Sequence, residues 1–269
     1  MKVELDLKKN IFQNAEQYFE KSKKAKNKLP KLEKAIKEMQ ERIELVKREK
    51  SFQEKTSLTP LKKRKKQWFE KFRWFISSDG LLVLAGRDAQ SNELLLKRHM
   101  QEEDIYFHAE IHGSPHCIIK AKENIAPKET LEEAARFVAS LSKAWNEGLS
   151  SVDIYSTLPS QISKKAPSGE SIGKGAFMVY GKREWFKHTP LDFCVGVKKE
   201  SNELVVIYGP ENAVKKYSLV FFKIVQGKEK KGETAKNLKA LFLKKLNTGE
   251  EIDLDEIISA LPAGGTKVA

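Results

Sequence analysis

Three of the chain's five histidines recur every four residues, at His108, His112 and His116. Alternate residues of an extended strand share a face, so His108, Glu110 and His112 would stand side by side. That set offers imidazole and carboxylate ligands for a transition metal, or acid–base groups for hydrolysis. It equally suits neutral histidines that hydrogen-bond within a fold or beneath a bound polyanion. Gly113 and Pro115 predict a strand break before His116. A second group is Gly86-Arg87-Asp88-Ala89-Gln90-Ser91-Asn92-Glu93, between an expected strand and an expected helix, where backbone N–H groups attract anions. Arg87 can fork onto a phosphate or a base edge. Asp88 and Asn92 can bond bases or cap the helix. A third, Ser168-Gly169-Glu170-Ser171-Ile172-Gly173-Lys174-Gly175, superficially resembles a phosphate loop. The glycine spacing is one residue short and glycine follows the lysine, which excludes a Walker-type nucleotide site. Lys174 remains a candidate contact to a nucleic-acid backbone.

The fourth group is the densest basic run, Lys62-Lys63-Arg64-Lys65-Lys66, which leads into Trp68, Phe69, Phe72, Trp74 and Phe75 with Lys71 and Arg73 between them. Lysine and arginine supply salt-sensitive phosphate attraction, and exposed rings can stack on unpaired bases. Most of the aromatic set from Phe69 to Phe75 is expected in the core. Lys97 and Arg98 add further cations to the expected helix. The net charge of +13 over 269 residues fits a polyanionic partner. Cys117 and Cys194 sit in apolar, strand-like runs, as buried free thiols do. No Cys/His spacing writes a zinc site. No cofactor is implied. No apolar run reaches membrane-spanning length, and the first residues lack a signal-peptide core, so the chain reads as cytoplasmic.

The elements that would position these groups follow from periodicity. Ile11, Ala15, Tyr18, Ser22, Ala25, Leu29, Leu32, Ile36, Met39, Ile43 and Val46 alternate by four and three, a heptad seam. It predicts a helical arm over 10–50 that needs a partner helix, from a second copy or a preceding segment. Pro30 is expected to kink or break it. Strands are expected at 74–77 and 81–85, joined by the Asp79-Gly80 turn, then at 105–111 and 116–122. A short helix is expected over 92–100. Thr130-x-x-Glu133 suggests a capping box opening a helix that Gly148 closes. Strands at 152–156, 176–180, 193–198, 204–208 and 217–225, and helices at 234–246 and 253–260, complete the pattern. Gly264-Gly265 and the last residues are expected to be loose. The fold class is α+β: a mixed or antiparallel sheet core with packed helices. The expected organisation is a coiled-coil arm (1–58), a central domain (59–188) and a small α+β C-terminal unit (189–269).

Several of these motifs occur in one order. Trp68-Phe69-Glu70-Lys71-Phe72-Arg73-Trp74-Phe75-Ile76-Ser77-Ser78-Asp79-Gly80 comes first. Gly86-Arg87-Asp88-Ala89-Gln90-x-Asn92-Glu93 and Asp104-x-Tyr106-x-His108-Ala109-x-Ile111-His112-Gly113 follow. Together they closely resemble the RNA-binding domain of the NFACT family, over roughly residues 60–185. Asn14 to Phe19 resembles the start of that family's coiled coil. The Ala260–Gly265 segment looks like the tail of its archaeal members. The resemblance implies ribosome-associated quality control: binding of large ribosomal subunit RNA and tRNA at stalled nascent chains, with the ribosome remaining the peptidyl-transferase. It implies motif roles for Arg87, Asp88, Asn92, Asp104, His108 and His112. The family's large N-terminal domain has no counterpart here, so RNA and ribosome binding, not tail addition by this chain alone, is the expectation. The alternative is a metal-assisted nuclease or hydrolase built on His108, Glu110 and His112.

Overall fold

The computed structural model describes residues 4–6, 9–56, 66–165, 173–200, 203–247 and 250–269. It divides into two units, 1–65 and 66–269. The first is dominated by one helix, α1 (Ile11–Thr56). Asn14 anchors its start: the side chain accepts from Asp6 N at 2.8 Å and donates to the Asp6 and Lys9 carbonyls. Tyr18 Oη donates to Glu4 O at 2.6 Å. Of the kink or break expected at Pro30, the break does not occur: the helix runs on through it. Proline removes one N–H and crowds the preceding turn, yet the flanking turns hold the helix here. The seam residues Ile11, Leu29, Leu32, Ile36, Met39 and Ile43 are all exposed.

The α+β expectation holds. Residues 66–269 carry two larger antiparallel sheets and one two-stranded sheet. The larger contains β1 (Arg73–Ile76), β2 (Leu82–Ala85), β3 (Ile105–Ala109), β4 (Cys117–Ile119), β5 (Ser151–Thr157) and β8 (Glu184–Pro190), in the order β1-β2-β4-β3-β5-β8. A small hairpin pairs β6 (Ile162–Ser163) with β7 (Met178–Val179). The second sheet orders β9 (Phe193–Glu200), β10 (Glu203–Gly209), β11 (Val220–Glu229) and β12 (Thr266–Val268) as β10-β9-β11-β12. Helices α2 (Ala89–Leu94), α3 (Lys128–Leu141), α4 (Lys143–Glu147), α5 (Glu211–Tyr217), α6 (Lys231–Leu246) and α7 (Leu254–Ala260) complete this unit. Among the described residues, no helix is long and apolar enough to cross a membrane.

One apolar core joins the two sheets. Phe75 on β1 meets Phe137 on α3 at 4.7 Å between ring centroids, and Phe137 meets Phe193 and Tyr208 of the second sheet at 6.5 and 6.3 Å. The other face of the large sheet buries Phe72, Leu84, Tyr106, Ile118 and Tyr155 under Leu95 and Leu96. Phe72 and Phe75 are thus core, as expected, while Trp68 is half-exposed and stacks on His99. Cys117 and Cys194 are buried and free, and burial raises both thiol pKa values, that of Cys194 to about 12.

Two sequence expectations fail for tertiary reasons. Thr130 and Glu133 lie inside α3, which Pro127 begins. Their side chains tie the helix to the β1–β2 turn: Thr130 Oγ1 donates to Asp79 Oδ2 at 2.7 Å, and Glu133 Oε2 accepts from Ser78 N at 2.9 Å. The segment after Gly265 is not loose. Thr266 is fully buried, β12 pairs with β11, and Trp145 Nε1 donates to Gly265 O at 3.1 Å. Glycine content alone misses an edge strand that long-range pairing creates. Strand β8 and helix α5 were also not expected.

Candidate nucleic-acid interface

The loops at one end of the large sheet enclose a cleft of about 420 Å3. Three separate segments form it: Gly86–Asn92 after β2, His108–His116 from the end of β3 onward, and Lys174–Phe177 before β7. Leu141, Arg73 and Ala263 complete its wall.

The first segment is fixed by its own hydrogen bonds. Asp88 caps α2, its carboxylate accepting from Ser91 N at 2.7 Å. That bond holds the Asp88 carboxyl below the usual carboxylate range. Asn92 reaches across to the next segment, where its Oδ1 accepts from His116 N at 3.2 Å. Glycine is required opposite it: a Cβ on Gly86 would lie 1.9 Å from Asn92 Oδ1. Capping is therefore the observed work of Asp88, and bracing of the cleft is that of Asn92.

The two arginines expected to meet RNA are engaged within the fold. Arg73 donates to the Ser259 carbonyl, to Ala260 O at 2.6 Å and to Leu261 O at 3.0 Å, at the C-terminal end of α7. A cation there answers both the unpaired carbonyls and the negative end of the helix dipole. Arg87 donates to Lys71 O and Phe72 O at 3.2 and 3.0 Å and to Ser259 Oγ at 3.0 Å. Both side chains thus bind the β1–β2 hairpin to a helix about 190 residues away. Arg73→Ala should cost about 2–3 kcal/mol, because charged donors to buried carbonyls are worth that much. Urea unfolding checks it; a loss below about 0.5 kcal/mol, the scale of an unremarkable surface change, would remove the capping argument.

The histidines assemble differently from the strand-face expectation. Strand β3 ends at Ala109, so Glu110 and His112 fall in the following turn. Glu110 pairs with Arg183 at 3.1 Å, and His112 is exposed on the cleft rim. His108 instead stacks on His116, with ring centroids 4.6 Å apart and planes 14° from parallel. The turn that carries Gly113 and Pro115 brings His116 back over His108. Among the described residues, the one trio of ligand atoms within 4.8 Å is Asp192, Cys194 and Glu211, not the histidine set. Lys223 already sits on that trio, 3.3 Å from Asp192 and 3.0 Å from Glu211.

The neutral state of the pair follows from its partners. His116 Nε2 lies 2.9 Å from Gly175 O, which can only accept, so Nε2 carries the proton. Nδ1 then accepts from the buried Tyr106 hydroxyl at 2.5 Å. His108 Nδ1 donates to Pro115 O at 3.0 Å, which leaves its Nε2 as an acceptor. Burial, and for His116 the adjacent His108, holds the pKa values down to about 4 for His108 and about 3 for His116. The cleft floor is thus uncharged and aromatic, with Phe177 packed edge-on against His116 at 5.4 Å.

Positive charge stands at the rim. Lys174 is exposed there, and Lys164 Nζ pins its loop by donating to Gly173 O and Ala176 O at 2.8 and 2.9 Å. Lys97 is paired with Glu93, and with Arg98 it lies on the π-helical turn outside the cleft. Lys66 is exposed, while Lys62, Lys63, Arg64 and Lys65 lie outside the described residues. Asp104 is buried and pairs with Lys120 at 2.7 Å, bracing the start of β3. Sequence reasoning quoted Tyr106 and Gly175 within motifs but gave them no role, and it missed Lys164, and also Arg183 and Trp185 on β8. The alternating basic and aromatic residues of Lys182-Arg183-Glu184-Trp185-Phe186-Lys187 were the available signal for the last two.

The three segments all fall within a stretch that matches a known family. Residues 71–181 match the family described as NFACT protein RNA binding domain. The archaeal Rqc2 homolog aRqcH of Methanocaldococcus jannaschii is 38% identical over 206 residues, covering 77% of this chain and 30% of that protein. The ribosome quality control complex subunit NEMF homolog of Drosophila melanogaster is 40% identical over 185 residues, covering 68% and 18%. Human ribosome quality control complex subunit NEMF is 37% identical over 176 residues, covering 65% and 16%. The chain spans less than a third of the length of each of these relatives.

Proposed function

The chain belongs to the NFACT family, and from that premise we propose that it is the RNA-binding module of a ribosome quality control factor, docking on large-subunit RNA and tRNA at stalled nascent chains. The observation that carries the reading is the cleft. Its three segments come from the family-matched region, and its floor is neutral and aromatic beneath a lysine rim. A floor of that kind suits an unpaired base, and the rim suits the phosphates on either side. The net charge of +13 adds a general attraction to RNA. Lys66, with the basic run before it, and Lys97 and Arg98 would extend this field. The module acts as an adaptor in the cytoplasm and leaves bond chemistry to the ribosome. The arm's open seam would meet a partner helix.

Co-sedimentation of the chain with separated ribosomal subunits and with tRNA, over a salt series, tests this. The informative variant is His112→Ala with Lys174→Ala, because both side chains are exposed on the rim. Saturable binding to the large subunit is expected. The variant should weaken it and lower the salt slope by about 1 for the lost lysine contact. Equal binding to every polyanion, unchanged in the variant, would reduce the charge to a generic field and sink the assignment.

A further inference from the structure

We infer that the free edge of the large sheet carries a second base-stacking subsite, centred on Trp185, that continues the cleft. This rests on the RNA-binding reading of the cleft. Five rings stand in a row on one face of the sheet: Phe177, His116, His108, Tyr155 and Trp185. Successive centroids are 5.4, 4.6, 6.0 and 5.4 Å apart. Strand register produces the second half of the row, since His108 lies opposite Tyr155 and Tyr155 opposite Trp185. His116 and Tyr155 are buried, and His108 and Phe177 are half-buried in the cleft. Trp185, on edge strand β8, is 38% exposed.

Cations flank that exposed ring. Lys187 Nζ stands 4.1 Å from its centroid, and the Arg183 guanidinium lies 4.5 Å over Tyr155 and 5.9 Å from Trp185. Asp153 holds Lys187 at 2.8 Å, and Glu110 holds Arg183 at 3.1 Å. Both pairs are solvent-accessible, and such pairs are weak enough for a phosphate to compete. An aromatic ring between two cations, contiguous with a neutral aromatic cleft, fits single-stranded RNA: bases stack on the rings and phosphates meet the side chains. A duplex hides its base faces and could not use Trp185 in this way.

The test measures binding of the full chain to labelled oligoadenylates and oligouridylates of increasing length, and to a duplex of the same composition. Trp185→Ala is compared with Trp185→Phe, which keeps a ring, and with Trp185→Leu, which keeps an apolar cover over Tyr155 should the alanine variant lose stability. Trp185→Ala and Trp185→Leu should weaken long single strands by roughly tenfold, the scale of one base stacked on an aromatic side chain. The shortest oligonucleotides should bind as before, and Trp185→Phe should recover most of the loss. Equal affinity of all variants at every length overturns the subsite, while the cleft reading survives if His112→Ala with Lys174→Ala still weakens binding. Preference for the duplex also overturns it. Loss of ribosomal-subunit binding in Trp185→Ala with oligonucleotide binding intact overturns it in favour of a protein contact. A folded wild-type chain that binds no RNA at any length removes both readings.

Discussion

Between pH 6.5 and pH 5 the folded chain should lose about 3 kcal/mol of stability through one pair of rings, and His116→Gln should remove about half of that loss. His108 and His116 are buried and neutral, with pKa values held to about 4 and about 3. In the unfolded chain both return to about 6.5. A base whose folded pKa is depressed contributes stability above its unfolded pKa, and that stability drains as pH falls. Below about pH 6.5 the unfolded chain takes up two protons that the folded chain refuses, each worth about 1.4 kcal/mol per pH unit. Near pH 4 the native state begins to bind them too, and the slope should flatten as the stacked pair opens. Urea unfolding at a series of pH values, for wild type and His116→Gln, measures the difference in slope. Equal slopes in the two proteins would mean that the pair does not carry the acid sensitivity. Because the same rings floor the cleft and stay neutral in the folded chain until near pH 4, RNA affinity of the folded protein should hold from pH 6.5 to pH 5 and change only near pH 4.

Gly175→Ala should be the most damaging single methyl in the cleft. Gly175 has a φ of +78°, a left-handed conformation that alanine adopts at a cost. Its Cβ would also stand 2.6 Å from both the Cα and the carbonyl oxygen of Ala89, which are backbone atoms that cannot rotate away. Strain and overpacking together come to about 3 kcal/mol. The outcome expected is detachment of the 173–177 segment from α2, which takes Gly175 O from His116 and Lys174 from the rim. Gly173→Ala is the matched control, since nothing lies within 4 Å of the added carbon. RNA binding and thermal unfolding of the two variants decide it. If both behave as wild type, the close packing of this segment on α2 is not what shapes the cleft.

Local chemistry was legible in the sequence where neighbours along the chain decide it. Asp79-Gly80 marked the β1–β2 turn, Asp88 the cap of α2, and the apolar runs the two buried thiols. The three segments that form the cleft were all singled out by residue type, and their order gave the family. What could not be read was whom each polar side chain would meet. Arg73 and Arg87 look like phosphate ligands until Ser259, Ala260 and Leu261 fold back onto them. Thr130 and Glu133 have the spacing of a capping box, yet they serve a turn more than fifty residues earlier. The histidine set failed through a break. Gly113 and Pro115 were recognised as ending the strand, but the return of His116 onto His108 depends on the Tyr106 hydroxyl and the Gly175 carbonyl, which no local pattern announces.

The shared core has a consequence for how this protein tolerates sequence drift. The segment that identifies the family, residues 71–181, is not the segment that bears its whole load. Phe75 rests on Phe137, which rests on Phe193 and Tyr208, and Arg73 grips the end of α7. A substitution at Ser259 or Leu261 can therefore reach the cleft without touching a recognisable motif. Inheritance at this site is written in two places, one conspicuous and one silent, and the silent one sets how far the conspicuous one is free to change.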